Sequence, residues 1–137
     1  MAQYEDCIIF LLAKAYQKAH GHFKKRLQGQ DLTPVQHLVL EALWEEEGLS
    51  AGDIGKKLML DSATISGILE RMSEKGWIVK ATDYADKRFI RICLADRARE
   101  MKTLLIHERE QANEKILGAL SLEEKVLLKR LLRDLRG

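Results

Sequence analysis

A short charged loop, Asp83 to Arg88, carries the residues in this chain that are best suited to bind another molecule. The runs on either side, WIVKAT and FIRICL, are rich in β-branched and aromatic residues and predict a β-hairpin. Asp and Lys87 are ordinary at a hairpin tip, where they favour turns. Arg88 adds more, because a guanidinium on such a tip can enter the narrow, electronegative minor groove of DNA. Asp86 lies two residues away and could orient Arg88 through a charge-assisted hydrogen bond.

The segment LDSATISGILERMSEKG, just before the hairpin, combines helical apolar spacing with small and hydroxyl-bearing residues. Its outer face could approach DNA closely, with hydroxyls reaching phosphates or bases and Arg71 meeting the backbone or a guanine. An ordinary solvated face is the alternative, since Ser, Thr and Gly are poor helix formers. The candidate DNA-contacting residues on this helix are Ser62, Ala63, Thr64, Ser66, Gly67 and Arg71.

The preceding segment, LSAGDIGKKL, predicts another short helix with Ser50 as its N-cap. Two consecutive short helices joined by LMLDS and followed by a hairpin predict a winged helix-turn-helix, whose second helix enters the major groove. Lys56 and Lys57 lie where a supporting helix would cross a phosphate strand. The predicted DNA-binding set is completed by Ser50, Lys56 and Lys57 and by Asp86, Lys87 and Arg88 of the hairpin tip.

The remaining segments predict long helices on both sides of this unit. An apolar stripe indicates a helix over residues 4–28, and capping boxes at Thr33–Gln36 and Ser121–Glu124 open two more. The second of the predicted helices ends at Gly48, and helix resumes at about Asp96. The predicted fold is therefore mainly α with a small β-hairpin wing: four helices, the hairpin, and two further helices.

Composition limits the classes of protein that this chain can represent. With 137 residues and 46% hydrophobic content, one folded domain is expected. The 23 basic and 21 acidic residues give a net charge of only +2, so any basic surface must be local. The apolar run IIFLLA lacks a basic leader region and a cleavage site, and no segment approaches a membrane span, so we expect a cytoplasmic protein.

No catalytic, metal-binding or cofactor motif stands out, and we expect no enzyme activity, no metal and no cofactor. The glutamate run Glu45–Glu47 is interpreted as a solvated helix end rather than a catalytic pair. His107 has Gln111, not histidine, four residues on, and His20 and His22 cannot share a helical face. A helical adaptor that binds protein rather than DNA is the remaining alternative from a different class.

These segments together resemble the DNA-binding core of MarR-family transcriptional regulators. The matching pieces are LTPVQ, LSAGDIGKKL, LDSATISGILERM, KGWIVK and the D-x-x-D-K-R wing, and the flanking helices match in order and length. The resemblance therefore covers nearly the whole chain. One departure is LADRARE after the wing, where the family usually has Leu-Thr and a glycine. Asp96 is expected to cap the next helix there.

The resemblance implies a homodimer in which residues 1–32 and 95–137 supply interlocking dimerisation helices around a winged unit at residues 33–94. Each winged unit would read one half of a near-palindromic operator, with half-sites about one helical turn, roughly 34–36 Å, apart. The sequence agrees, because the apolar terminal helices of so small a chain need a second copy to cover them. Repression is the family tendency.

Small-molecule release from DNA is also implied by the resemblance, usually by a phenol or an aromatic acid. The cleft would be lined from the first helix, the second helix and the start of the fifth, although a core role is the alternative at each position. The candidate ligand-binding residues are Tyr16, His20, His37, Trp44 and Arg99.

The alternative is redox sensing through Cys7, because hydroperoxide-sensing members carry a reactive cysteine in the first helix. Aligned by pattern, that family cysteine falls near Ile9. Two residues along a helix rotate a side chain by about 200°, onto another face. With no basic partner visible to lower its pKa, Cys7 is interpreted as an inert thiol, and Cys93 as a core residue.

Overall fold

A computed structural model describes residues 2–137 and confirms a mainly helical chain with one two-stranded antiparallel hairpin. The helices are α1 (Ile8–Leu27), α2 (Pro34–Glu45), α3 (Ala51–Leu58), α4 (Ser62–Glu74), α5 (Asp96–Glu100), α6 (Lys102–Leu117) and α7 (Leu122–Arg136), and the strands are β1 (Ile78–Thr82) and β2 (Ile90–Leu94). A 3₁₀ turn, Gln3–Asp6, precedes α1. In the hairpin, Ile78 pairs with Leu94 and Thr82 pairs with Ile90.

The chain forms two compact units. The winged unit is Leu27–His107, which holds α2 to α5, the hairpin and the first part of α6. The terminal unit combines residues 2–26 with residues 108–137, and so contains α1, the rest of α6 and α7.

The core of the winged unit forms where α2, α3, α4 and the hairpin meet. Apolar residues at helical spacing on each helix, and at alternate positions on β2, supply it. The fully buried large side chains include Leu40, Leu43, Ile54, Ile65, Leu69, Met72, Trp77 and Ile92. This burial leaves the opposite face of α4 exposed to solvent.

The turn between α3 and α4 is tight, as a helix-turn-helix requires. Met59 adopts a left-handed conformation with φ of 57°, which reverses the chain after α3. A Cβ on Gly55 would lie 3.0 Å from the Leu60 carbonyl oxygen, so only glycine allows this close approach without a shift. The two helices are thereby held together at their junction.

Local signals in the sequence define most helix starts correctly. Capping boxes are present at Thr33 with Gln36 and at Ser121 with Glu124, as predicted. Asp61 is the N-cap of α4. The prediction for Asp96 was wrong: Ala95 occupies the N-cap position without a side-chain cap, and Asp96 is the first helical residue.

Two element boundaries differ from the prediction at the end of α2 and the start of α6. Helix α2 ends at Glu45 rather than at Gly48, whose φ of +86° instead turns the chain so that Leu49 bridges to Ile92 of β2. The helix after the wing is interrupted at Met101. Just before this break, the Trp44 indole N–H donates to the Ala98 carbonyl at 3.2 Å. In an unbroken helix that carbonyl would accept from the backbone N–H four residues later.

The terminal unit leaves much of its apolar surface exposed. Ala112 is buried, and Arg26 forms an ion pair with Glu108 at 2.8 Å. The exposed large apolar side chains of this unit are Tyr4, Ile8, Ile9, Leu11, Leu12, Tyr16, Leu122, Val126, Leu127, Leu131, Leu132 and Leu135. They lie on the 3₁₀ turn, α1 and α7. Within residues 2–137, none of the helices has the length and apolar character needed to cross a membrane.

Candidate nucleic-acid interface

The exposed face of α4 carries the predicted small and hydroxyl-bearing residues. Ser62, Ala63, Thr64 and Ser66 are exposed, while Ile65 on the opposite face is buried. Because none of these exposed side chains is large, another molecule can approach the helix backbone closely. The exposure of these small residues agrees with the sequence interpretation, and their contact with DNA stays a prediction.

The N-terminus of α4 is fixed by Asp61. The Thr64 backbone N–H donates to Asp61 Oδ1 at 2.7 Å, and this bond holds the pKa of the Asp61 carboxyl below its ordinary value. The carboxylate also complements the positive end of the helix. Asp61 therefore stabilises the turn on which Ser62, Ala63 and Thr64 are presented.

Arg71 lies over Gly67 on the same helix. A Cβ on Gly67 would be 3.4 Å from an Arg71 guanidinium nitrogen, so the missing side chain leaves room for the arginine to lie along the helix. Arg71 is exposed and Gly67 is half-buried. This arrangement places one cation beside the hydroxyl-bearing surface.

The supporting helix α3 contributes two exposed lysines, Lys56 and Lys57, in its last turn. Lys57 Nζ lies 3.7 Å from a carboxylate oxygen of Glu46. Ser50 is the N-cap of α3, since its hydroxyl accepts from the Asp53 backbone N–H at 3.1 Å. The predicted capping role of Ser50 is therefore confirmed, and its contact with DNA stays a prediction.

The hairpin tip is rigidified by two short-range carboxylate turns. Asp83 Oδ1 accepts from the Ala85 N–H at 2.9 Å, and Asp86 Oδ1 accepts from the Arg88 N–H at 3.0 Å. The Asp86 carboxylate also accepts from the Arg88 guanidinium at 3.1 and 3.3 Å, as the sequence suggested. The hydrogen bonds from the Arg88 side chain and from its backbone N–H lower the pKa of Asp86. The Arg88 side chain is 92% exposed, so its guanidinium is held in place yet accessible beside exposed Lys87.

Sequence reasoning missed Arg91, which braces the base of the wing loop. Its guanidinium donates to Asp83 Oδ2 at 2.9 and 3.2 Å and to the Gly48 carbonyl at 3.0 Å. The backbone N–H of Ala85 and the Arg91 guanidinium together lower the pKa of Asp83. The signal available was the pair of opposite charges, Asp83 and Arg91, that flank the loop eight residues apart. Tyr84, fully exposed at the tip, was also missed.

Three of the five candidate ligand-binding residues lie close together in the winged unit. The His37 and Trp44 rings are in edge-to-face contact at 5.7 Å, and Trp44 bonds to Ala98, the neighbour of Arg99. His37 is completely buried, with Nε2 lying 2.8 Å from the Leu105 carbonyl oxygen. His37 and Trp44 therefore both have structural partners, and their ligand role stays a prediction.

Arg99 is paired with two carboxylates. It contacts Glu47, and its other guanidinium nitrogen lies 3.5 Å from Asp96. Glu47 also accepts from the Leu94 backbone N–H at 2.8 Å. The run Glu45–Glu47 is exposed, as interpreted, and Glu47 also joins the segment after α2 to β2 and α5.

The other two ligand candidates lie in the terminal unit. Tyr16 and His20, one turn apart on α1, have ring centroids 5.6 Å apart. Tyr16 is exposed and His20 is half-buried. They form an aromatic pair at the surface of α1.

The two cysteines are free and sit in different settings. Cys7 is exposed just before α1. Cys93 is half-buried on the outer face of the hairpin, opposite Val79, so its assignment to the core was wrong. The buried face of β2 belongs to Ile92 and Leu94 instead. Among residues 2–137, no group of three or more His, Cys, Asp or Glu side chains is arranged to hold a metal ion.

A helix-turn-helix with an exposed small-residue helix, followed by a rigid arginine-bearing hairpin, defines a winged-helix DNA-binding protein. The MarR family model matches residues 32–90, which covers α2, α3, α4 and the wing up to its second strand. This chain belongs to the MarR family, and the relatives that it matches are transcriptional regulators.

Individual relatives agree with this assignment. The transcriptional repressor NicR of Pseudomonas putida is 30% identical over 125 residues, covering 91% of this chain and 79% of NicR. The transcriptional regulator TtmR of Methylorubrum extorquens is 39% identical over 94 residues, which are 69% of this chain. The matched region is 47% of TtmR, so this chain spans about half the length of that relative.

Among solved structures, BpsR of Bordetella bronchiseptica, a protein whose DNA binding is regulated by 6-hydroxynicotinic acid, superposes with a TM-score of 0.91. The two chains are 27% identical, and the superposition covers 100% of this chain and 98% of BpsR. The likeness therefore extends beyond the winged unit to the terminal helices.

Proposed function

We propose that this chain acts as a homodimeric repressor that binds a near-palindromic operator and is released by a hydroxylated aromatic acid. One observation carries the operator-binding role: a single unit combines the exposed small face of α4 with a fixed, exposed arginine on the wing. In the proposed complex α4 occupies the major groove and Arg88 reaches the minor groove. The contacts come from Ser50, Lys56, Lys57, Ser62, Ala63, Thr64, Ser66, Gly67, Arg71, Asp86, Lys87 and Arg88.

The homodimer is proposed from the exposed apolar surface of the terminal unit. Side chains such as Leu127 and Leu131, one turn apart on α7, expose nearly half of their surface in the single chain. A second copy of the same surface is the natural cover for such a face, since most soluble oligomers are symmetric. In this arrangement residues 1–32 and 95–137 form the dimerisation region, and residues 33–94 form the DNA-binding region.

Repression and a cytoplasmic location are part of the proposal. NicR, 30% identical, is a transcriptional repressor, which supports the same sign of regulation here. The relatives named above are regulators rather than enzymes, and we infer no catalytic activity and no cofactor for this chain. Its DNA partner places it in the cytoplasm.

The proposed effector is a small aromatic acid bearing a hydroxyl group. The support is BpsR, whose DNA binding is regulated by 6-hydroxynicotinic acid. Cationic and hydrogen-bonding side chains suit such a ligand, because a carboxylate and a ring hydroxyl each need a polar partner. The proposed contacts are Tyr16, His20, His37, Trp44 and Arg99.

Salt-dependent binding to duplex DNA tests the operator-binding role. Fluorescence anisotropy with the DNA upstream of the chain's own gene should show tight binding in dilute buffer. Between about 50 and 200 mM salt the affinity should fall by a factor of about 10³–10⁵, as counterions replace the protein's phosphate contacts. Binding that is absent, or that does not respond to salt, would contradict the proposal.

Release by 6-hydroxynicotinic acid tests the effector. We expect the acid to raise the thermal midpoint of the free protein and to lower its affinity for DNA, because a ligand stabilises the state that it binds. Nicotinamide, which lacks both the carboxylate and the hydroxyl group, is the matched control. Equal responses to the two compounds would contradict the proposed chemistry of the effector.

A further inference from the structure

Helix α5 contains an arginine, Arg97, that bonds to the C-terminal end of α4. Arg97 donates one guanidinium N–H to the Lys75 carbonyl at 3.0 Å and another to the Gln30 carbonyl at 3.1 Å. Lys75 is the C-cap of α4, and Gln30 lies in the loop between α1 and α2. One side chain therefore joins three segments that are far apart in the sequence.

Trp77 also contacts Arg97, and we call Arg97, Trp77 and the groups that they bond to the Arg97 junction. The Arg97 guanidinium carbon lies 3.9 Å from the centroid of the Trp77 ring, in a cation–π contact. Trp77 is fully buried, its indole N–H donates to the Asp31 carbonyl at 3.1 Å, and its own carbonyl accepts from the Ala95 N–H at 3.0 Å. The Arg97 guanidinium therefore contacts the Trp77 ring as well as the two carbonyls.

The Lys75 side chain reinforces the same connection. Its ammonium lies 3.4 Å from a carboxylate oxygen of Asp31 and 3.4 Å from the Gln36 side-chain oxygen. Both the backbone and the side chain of the α4 C-cap are therefore held by groups outside α4.

The chemistry of this junction requires arginine. The carbonyls at a helix C-terminus carry partial negative charge, which a cation stabilises. A planar guanidinium can donate to two carbonyls in fixed directions while stacking on an indole, whereas a lysine ammonium offers a point charge on a flexible stem. Arg97 also belongs to LADRARE, the segment in which this chain departs from the usual family pattern.

We propose that Arg97 is a positioning residue for operator binding: it fixes the C-terminal end of α4 and thereby sets the tilt of the recognition helix. The loop that it holds follows α1 in the chain, and α5, which carries it, leads into α6. In the proposed dimer, the distance between the two recognition helices depends on this tilt. The inference rests on the proposed dimeric operator binding, because only then does the tilt set the spacing between half-sites.

The test compares Arg97→Lys with wild type on a set of duplexes. A binding duplex is first selected by the wild-type protein from a random pool about 30 base pairs long, and its half-site spacing is then changed by one base pair in each direction. We expect the variant to bind the selected duplex about tenfold more weakly, the order of one lost base contact, and to discriminate less between the three spacings. Lys80→Arg is the matched control, because it exchanges an exposed cation, paired with Glu70, that belongs neither to the proposed DNA contacts nor to the proposed dimerisation region.

The spacing profile separates positioning from a merely structural role. Loss of folded protein would weaken binding to all three duplexes equally and would leave their ranking and relative affinities unchanged. Trp77→Phe, which keeps an aromatic ring but removes the bond to Asp31, provides a second variant and should also flatten the profile. An unchanged profile in both variants overturns the inference alone. A wild-type protein that selects no duplex overturns the proposed function as well.

Discussion

The winged unit and the terminal unit differ in how they bury apolar surface. Apart from Ala112, all the buried apolar residues described lie between Leu27 and Leu105, within the winged unit. Helices α1 and α7 of the terminal unit instead expose rows of leucine and isoleucine. The winged unit therefore has a core of its own, whereas the terminal unit leaves most of its large apolar side chains exposed. The proposed dimer would cover these side chains, so the two units should respond differently to a change in assembly.

The largest expected effect comes from placing charge on the exposed apolar face of α7. The double substitution Leu127→Glu and Leu131→Glu should convert the proposed dimer into monomers, because four carboxylates would meet at its interface. Operator affinity should then fall by a factor of about 10²–10⁴, since the second half-site no longer binds intramolecularly. Sedimentation measures the oligomeric state, and anisotropy measures the affinity.

Val79→Glu provides the matched control for oligomeric state. Val79 is 52% exposed on the hairpin of the winged unit, close to the 47% of Leu127 and the 44% of Leu131. We expect this variant to sediment as wild type does. If the α7 double variant also sediments as wild type, the terminal unit is not the dimer interface and the contrast between the two units loses its meaning.

A core substitution in the winged unit should reduce stability regardless of assembly. Leu69 is buried on α4, and Leu69→Ala should lower the free energy of unfolding by about 2–5 kcal/mol through lost burial and an unfilled cavity. Urea unfolding at two protein concentrations should give the same loss. Leu131→Ala, by contrast, should cost stability only at concentrations where the dimer forms. A concentration-dependent loss for Leu69→Ala would show that the winged unit is not self-sufficient.

Arg88→Ala should weaken DNA binding without affecting the fold. The Arg88 side chain contacts only the neighbouring Asp86 among the contacts described, so its removal should leave the thermal midpoint unchanged. The free energy of operator binding should become weaker by about 1–3 kcal/mol, the range for one specific arginine contact. Lys80→Ala removes an exposed cation, paired with Glu70, that is outside the proposed DNA contacts and the dimerisation region, and should leave affinity near wild type. Equal losses in the two variants would point to general electrostatics rather than to the hairpin tip.

Local sequence signals predicted the helix α4 and its buried face. The period of Ile65, Ile68 and Leu69 defined which side of α4 is buried. The Asp86–Arg88 pair could be predicted for the same reason, since the two residues are close in sequence. Structure that depends on residues within one helix, strand or turn can therefore be predicted from the sequence.

Long-range contacts were not readable from the sequence. Arg91 bonds to Gly48, Arg97 bonds to Gln30, and Trp44 breaks the helix at Met101 by reaching Ala98. Each of these bonds joins residues more than 40 positions apart, and nothing in the local pattern specifies the acceptor. The Asp96 cap was wrong for a related reason, because Ala95 is tied to Trp77 and so fixes the start of α5 one residue earlier.

The smallest expected effect compares the carboxylates at two helix N-termini, one in each unit. Asp61 accepts from the Thr64 N–H, and Glu124 accepts from the Ser121 N–H, and in each case the backbone bond lowers the pKa of the carboxyl group. A lowered pKa stabilises the fold above the unfolded value, about 4, and this stabilisation is lost as the pH falls through the folded value. Asp61→Asn keeps an N-cap that does not titrate, so its thermal midpoint should fall less steeply than that of wild type below about pH 4. Glu124→Gln should flatten the acid limb only of the terminal unit, monitored by loss of the dimer. Acid limbs that stay parallel to wild type in both variants would show that these caps do not contribute to the acid sensitivity of either unit.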